Sequence, residues 1–345
     1  MGASRVDEPL RMLGAPGSPY SRKLRAILRY RRIPHVWCTR GTPESRGLPR
    51  PRVQLLPQLI LEGPDGVPEA RTDTTPLIRE LEGRQAGRAV VPQDPVVAFL
   101  DALVEDYADE WVTKCMFHYR WAYAPDIDKA ARILPRWFGT NQPEETAVAM
   151  GKEFAQRQIE RLWVVGSNKT TGPVIEASYR RLLHLLDAHL MTSRFVMGAR
   201  PGTADFGLYG QLTQLVAFDP TPAAIALEQA PRVAAWVDLL EDLSGVEPND
   251  DGWISRDAVP ATFRALLEEI GRVYVPFLLA NAEALAQSAE RVECEIDGRP
   301  WVQRPFPYQA KCLAWLREGH TALGTSDRRA LDAILAGTGC ERLFA

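Results

Sequence analysis

Arg11-Met-Leu-Gly-Ala-Pro-Gly-Ser-Pro-Tyr-Ser-Arg-Lys-Leu-Arg-Ala-Ile-Leu-Arg-Tyr-Arg-Arg-Ile-Pro-His35 is the stretch whose reading decides the fold. A short apolar run, Met12-Leu13, breaks into Gly14, Pro16, Gly17, Ser18 and Pro19. Leu24, Ile27 and Leu28 then recur at helical spacing, and Ile33-Pro34 leads into a second short apolar run, Val36-Trp37. The spacing predicts strand, tight loop, helix, strand, with the loop delivering Ser18 to the helix start. A helix start presents unpaired N–H groups and a partial positive charge, so it favours an anion. With the Ser18 hydroxyl as a donor, it is a place suited to holding a thiolate.

Downstream, residues 39–52 are rich in Gly, Pro, Arg and Ser and read as a loop with at most one helical turn. Two apolar runs between Val53 and Ala70 flank Gly63-Pro-Asp-Gly66, the pattern of a β-hairpin. Pro57 precedes Gln58-Leu-Ile-Leu61, where it cannot donate to a central ladder, so a strand start with a cis peptide or an edge position is expected. Thr72-Asp-Thr-Thr-Pro76 before Leu77, Ile78 and Leu81 is an N-cap signal. The order β-α-β, loop, β-β-α within the first 86 residues is that of a thioredoxin-like domain with a small mixed sheet.

From about residue 93 the pattern becomes almost all helical. Asp94-Pro95 opens a helix on which Phe99, Leu103, Tyr107, Trp111 and Cys115 repeat every four residues, a stripe that serves core packing or pocket lining. Residues 124–150 read as a connection with short helical pieces, followed by helices over about 151–164, 173–191 and 230–243. Between the last two, Gly202 and Asp205 form half of a capping box. After the polar break 247–252 the chain predicts a helix over 258–289 kinked at Pro276, a hairpin turning at Asp297-Gly298, a helix over 308–318 and a helix-prone tail. The expected fold class is thus an α/β thioredoxin-like domain (8–86), an all-helical domain (93–245) and a mostly helical extension carrying a β-hairpin (246–345).

Composition narrows the function classes. The 345 residues hold 41 Lys and Arg against 44 Asp and Glu, a net charge of −3, which gives no support to a nucleic-acid partner. The five cysteines are scattered and in no metal-ligand spacing, as free thiols in a reducing compartment would be. His184 and His189, five apart, make no metal site. The N-terminus has no apolar leader run and no stretch approaches spanning length, so a cytoplasmic protein with no membrane partner is expected.

Taken in order, four motifs resemble the glutathione transferase superfamily. Ser18-Pro-Tyr-Ser21 resembles the Ser-Pro-Phe loop of its serine-type classes. Leu56-Pro-Gln-Leu59 is similar to its cis-proline signature, and Asp73-Thr74 stands where the family carries an acidic residue or Gln followed by Ser. Gly198-Ala-Arg-Pro-Gly-Thr-Ala-Asp205 resembles its helix-capping segment, with Gly202 departing from the usual Ser or Thr. The resemblance covers about residues 10–243 and leaves the extension without a counterpart. It implies glutathione as co-substrate, a small and largely apolar electrophile as its partner, and a homodimer.

By the same resemblance, Ser18 would donate to the glutathione sulfur, whose free thiol pKa of about 8.5 leaves little thiolate at neutral pH. Tyr20 would line the same site, and Tyr20 and Ser21 are rivals for the sulfur. The backbone of Leu56 before Pro57 would pair with the cysteinyl portion. Asp73 would take the γ-glutamyl ammonium and Thr74 and backbone amides its carboxylate, although this pair also suits a plain helix cap. The electrophile would sit near Trp111, Cys115, His118 or Tyr119. Two other classes stay open: a non-catalytic binding or scaffold protein that kept the fold, and a glutathione-dependent reductase or lyase, which needs a cysteine at the site.

Overall fold

The computed structural model describes residues 9–345; the expected domain start at residue 8 lies outside them. The deciding stretch forms β1 (Leu10–Gly14), α1 (Pro19–Tyr30) and β2 (His35–Thr39), and a single 3-10 turn at Pro43–Ser45 interrupts the following loop. β3 (Gln58–Glu62), β4 (Pro68–Arg71) and α2 (Thr74–Arg84) complete the unit. The sheet runs β2-β1-β3-β4, with β1 parallel to β2 and antiparallel to β3. This is the thioredoxin-like arrangement. The Leu56–Pro57 peptide is cis, immediately before β3, which is an inner strand and has no place for proline within its ladder.

The helical region follows with α3 (Pro95–Tyr107), a π-helical turn at Ala108–Val112, α4 (Thr113–Ala122), α5 (Ala124–Ile133) and α6 (Glu144–Ile159). The helix expected over 151–164 therefore starts seven residues earlier, directly after Pro143, and stops before Leu162, where a 3-10 turn takes over. α7 (Gly172–Leu190), α8 (Thr203–Leu212), α9 (Pro220–Gln229) and α10 (Pro231–Leu240) close the region. At the start of α8 the departure at Gly202 has a physical reason. Asp101 of α3 reaches across to accept from the Thr203 and Ala204 amides at 3.2 and 2.9 Å, while Asp205 accepts from Gly202 N at 2.9 Å. A Cβ at position 202 would lie 2.3 Å from Asp101 Oδ1. The cap is supplied by another helix, and only glycine leaves room for it.

The extension is not a loose tail. α11 (Ala261–Glu269) passes through a π-helical turn at Ile270–Tyr274 into α12 (Val275–Ala286), so the irregularity falls just before Pro276. The hairpin β5 (Val292–Ile296) and β6 (Arg299–Gln303) turns with positive φ at both Asp297 and Gly298, as an Asp-Gly turn requires. α13 (Pro307–Ala322) and α14 (Thr325–Leu335) return over α3. One contiguous apolar core runs from Met12 to Leu343. Trp301 of β6 packs on Trp111 with ring centres 5.2 Å apart, and Phe344 stacks on His320 beside Phe99.

Candidate functional site

A cavity of about 740 Å³ opens where the sheet domain, α3 and the extension meet. Its sheet-side wall holds Tyr20, Leu56, Pro57, Asp73 and Thr74. No backbone hydrogen bond within the described chain occupies the Leu56 amide or carbonyl. Asp73 precedes α2 at φ +77°, a backbone conformation unusual for a non-glycine residue and found where surrounding structure over-determines it. Its carboxylate does not cap the helix. Instead Oδ2 accepts the Tyr308 hydroxyl of α13 at 2.8 Å, a contact 235 residues apart in sequence.

The α3 wall is acidic. Phe99, Ala102, Asp106, Asp109 and Glu110 face the cavity, with Glu105 beside them. Lys23 of α1, fully buried, bridges Glu105 at 2.7 Å and Asp109. Burial pushes the Lys23 ammonium down, but the two carboxylates outweigh it and hold it charged. Burial raises Asp109 to about 6 despite Lys23, and raises Asp106, which accepts the Tyr274 hydroxyl at 2.6 Å, to about 7. Burial and then the neighbouring Asp106 and Asp109 push Glu110 well above the usual carboxylate range. The third wall comes from the extension: Phe306, Tyr308, Cys312, Trp315 and Leu316.

Beside this cavity lies a smaller one of about 510 Å³, lined by Arg40, Arg46, Arg50, Gln54 and Gln58. Gln54 and Gln58 face it while Leu55, Leu56 and Pro57 face the larger cavity, so one short backbone segment borders both. The charged side chains of the smaller cavity are arginines, and those of the larger are mostly carboxylates.

Ser18 sits outside the wall of the larger cavity. It is the N-cap of α1, half-buried, with Oγ accepting from Ser21 N at 3.3 Å. Trp137 and Arg120 pack around the adjoining Gly17, the latter donating to its carbonyl at 3.1 Å. Of its two rivals, Tyr20 donates its hydroxyl proton to the Asp109 carbonyl at 2.7 Å, and Ser21 is fully buried with Oγ accepting from Ala15 N. Ser18 keeps both some exposure and an uncommitted proton.

The electrophile residues need correction. Trp111, Cys115, His118 and Tyr119 are all buried and none lines either cavity. Trp111 donates to Ser178 Oγ at 2.8 Å, Cys115 lies 3.6 Å from the Ile175 carbonyl, His118 is held between Ser167 and Glu176, and Tyr119 stacks on Tyr123. The every-fourth-residue stripe turns slowly around the helix, so Phe99 reaches the cavity while Trp111 and Cys115 have rotated into the core. The stripe that stays on the cavity is 99, 102, 106, 109 and 110. Its signal was the run Glu105-Asp-Tyr-Ala-Asp-Glu110, four acids within six residues, which sequence reasoning passed over. The extension wall had no sequence signal.

Among the described residues no cluster of His, Cys, Asp and Glu is arranged to hold a metal ion, and no helix is long and apolar enough to cross a membrane. No curated protein matches the chain significantly. Among solved structures, a glutathione transferase from Pseudomonas putida with bound glutathione disulfide is 15% identical over 69% of this chain and 87% of its own, with TM-score 0.41. A family member from Pseudomonas fluorescens with two glutathiones bound is 15% identical over 69% and 95%, with TM-score 0.43. A glutathione S-transferase from Methylobacterium radiotolerans, in complex with glutathione sulfonate, is 17% identical over 72% and 99%, with TM-score 0.41. Residues 12–89 match the glutathione S-transferase N-terminal domain family and residues 155–239 the C-terminal domain family. The sheet domain and the helical domain thus match, in order, the N-terminal and C-terminal domain families of glutathione S-transferase.

Proposed function

We propose that this protein binds glutathione across the two neighbouring cavities and transfers it to a small, largely apolar electrophile held against α13. The observation that carries this reading is the convergence of Tyr20, Leu56, Pro57, Asp73 and Thr74 on one cavity wall. The uncommitted backbone of Leu56 suits the cysteinyl portion, Asp73 the ammonium, and the start of α2 a carboxylate. The arginines of the smaller cavity suit the carboxylate at the other end of the tripeptide. The sulfur is assigned to Ser18, which lines neither cavity but stands two residues before Tyr20 in the wall: its hydroxyl, at the positive end of α1, donates to the thiolate and lowers the thiol pKa. The thiolate then attacks the electrophilic carbon, and the C–S bond forms as the leaving group departs with its electron pair or, in an addition, as the electron pair of the attacked double bond takes up a proton. A homodimer in the cytoplasm is part of the proposal, with light scattering as the check on association.

The test is a titration of glutathione followed by thiolate absorbance, on the wild type and on Ser18→Ala. Thiolate at neutral pH in the wild type and its loss in Ser18→Ala are expected; no binding, or an unchanged signal in the variant, overturns the assignment. A scaffold that binds without turnover is the second reading, favoured by the Tyr308 hydroxyl already resting on Asp73; it is distinguished by binding without consumption of any electrophile. For the reductase or lyase reading, the nearest thiol is Cys312 in the extension wall. Burial, then the Asp106 and Glu110 charges, push that thiol far up, which makes it a poor nucleophile.

A further inference from the structure

The α3 wall of the larger cavity has more acceptors than donors. Asp73, Glu105, Asp106, Asp109 and Glu110 put five carboxylates on the lining, against Arg79 in the wall and Lys23 behind it. Most are satisfied: Asp73 by Tyr308, Asp106 by Tyr274, Glu105 by Lys23 and Thr75. Asp109 is only half satisfied. Lys23 takes Oδ2, while Oδ1, in a side chain more than nine-tenths buried, has no hydrogen-bond partner. Glu110, 8% exposed, has no ion-pair partner among the described residues, and Oε1 of the adjacent buried Gln309 is also without a donor. Unpaired acceptors in a buried site are costly, and a ligand bringing N–H donors and positive charge removes that cost. The extension wall adds Trp315 and Leu316 of α13, an apolar surface of aromatic size.

We infer that this half of the cavity binds a protonated amine on an apolar body, the ammonium seated at the Glu110 carboxylate beside Asp109 and the hydrocarbon against Trp315 and Leu316. As a ligand site the inference stands on these side chains alone; as the identity of the acceptor substrate it rests on the glutathione reading. A bound ammonium also favours the ionised forms that burial opposes at Glu110 and Asp109.

The experiment compares three probes of equal length on the full chain at pH 7: 4-phenylbutylamine, 4-phenylbutan-1-ol and 4-phenylbutanoate, by calorimetry with and without glutathione. The amine is expected to bind at least tenfold tighter than the alcohol, and the carboxylate weakest. Glu110→Gln, which breaks no ion pair, is expected to weaken the amine at least tenfold and leave the alcohol within twofold; Asp109→Asn should act in the same direction. Equal or tighter binding of the alcohol or carboxylate overturns the inference, as does an amine affinity unmoved by Glu110→Gln. Should Asp109→Asn fail to fold for want of its Lys23 partner, the probe series and Glu110→Gln still decide. Amine binding without glutathione binding sinks the glutathione reading and leaves this one standing; glutathione binding without amine binding does the reverse.

Discussion

The sheet-side wall and the extension wall of the larger cavity touch through one hydrogen bond, Tyr308 to Asp73, yet they are built on different principles. The sheet-side wall is local: Leu56, Pro57, Asp73 and Thr74 are fixed by turns and helix starts whose signals lie within a few residues. The extension wall is positional. Tyr308, Cys312 and Trp315 lie on a helix that could face anywhere, and they reach the cavity because Trp301 and Phe277 seat the extension against Trp111. The difference teaches that a binding wall with no motif can be as well packed as one with a motif, provided an apolar anchor elsewhere sets its place.

The sharpest way to break the comparison is at that anchor. Trp301→Ala removes a side chain that is 1% exposed, and is expected to cost ~3–5 kcal/mol in denaturant unfolding while the sheet domain keeps its own packing. A loss under 1 kcal/mol would mean that the extension is seated by something else.

The framework behind the acidic wall is tested by Gly202→Ser, the residue that a general capping rule would favour. Here it should destabilise by about 1–3 kcal/mol, because its Cβ meets Asp101, which already caps α8. A rise in Tm would refute the cross-helix cap.

Next comes pH. Burial raises Asp106 to about 7 in the folded chain, against 3.8 as the reference value, so its contribution to stability is present below pH ~4 and is lost as pH rises through 7. Asp106→Asn, which cannot titrate, should remove roughly 1–2 kcal/mol of the stability difference between pH 5.5 and pH 8. Identical pH profiles in thermal unfolding would show that the carboxyl is ionised throughout.

The smallest effect is expected at the contact itself. Tyr308→Phe deletes one hydrogen bond, ~0.5–1.5 kcal/mol, and frees Asp73. Glutathione should then bind roughly threefold to tenfold tighter in calorimetry; weaker binding would make the Tyr308 hydroxyl a part of the ligand's seat.

Much of the architecture was legible in short-range patterns, and the site only in part. The loop at Gly14–Pro19, the cis peptide at Pro57, the Asp-Gly hairpin and the break before Pro276 are each set by neighbours in the chain. The helix starting at Glu144 was harder to see, because residues 139–143 and Gly151 resemble loop while Pro143 in fact opens the helix. Trp111, Cys115, His118 and Tyr119 looked like pocket lining because an aromatic stripe names an apolar face without saying what that face meets.

By itself the sequence determined the strands and helices of the first 86 residues, the order of a glutathione transferase and the hydroxyl at the head of α1. These depend on backbone preference and local hydrogen bonding, which reach only a few residues. Only the tertiary structure decided that four acids of α3 and the π-helical turn after it face a cavity, that Asp101 caps α8, and that Tyr308 rests on Asp73. Those outcomes depend on which surfaces the apolar core brings together, and burial is a property of the whole packed chain rather than of any stretch of it.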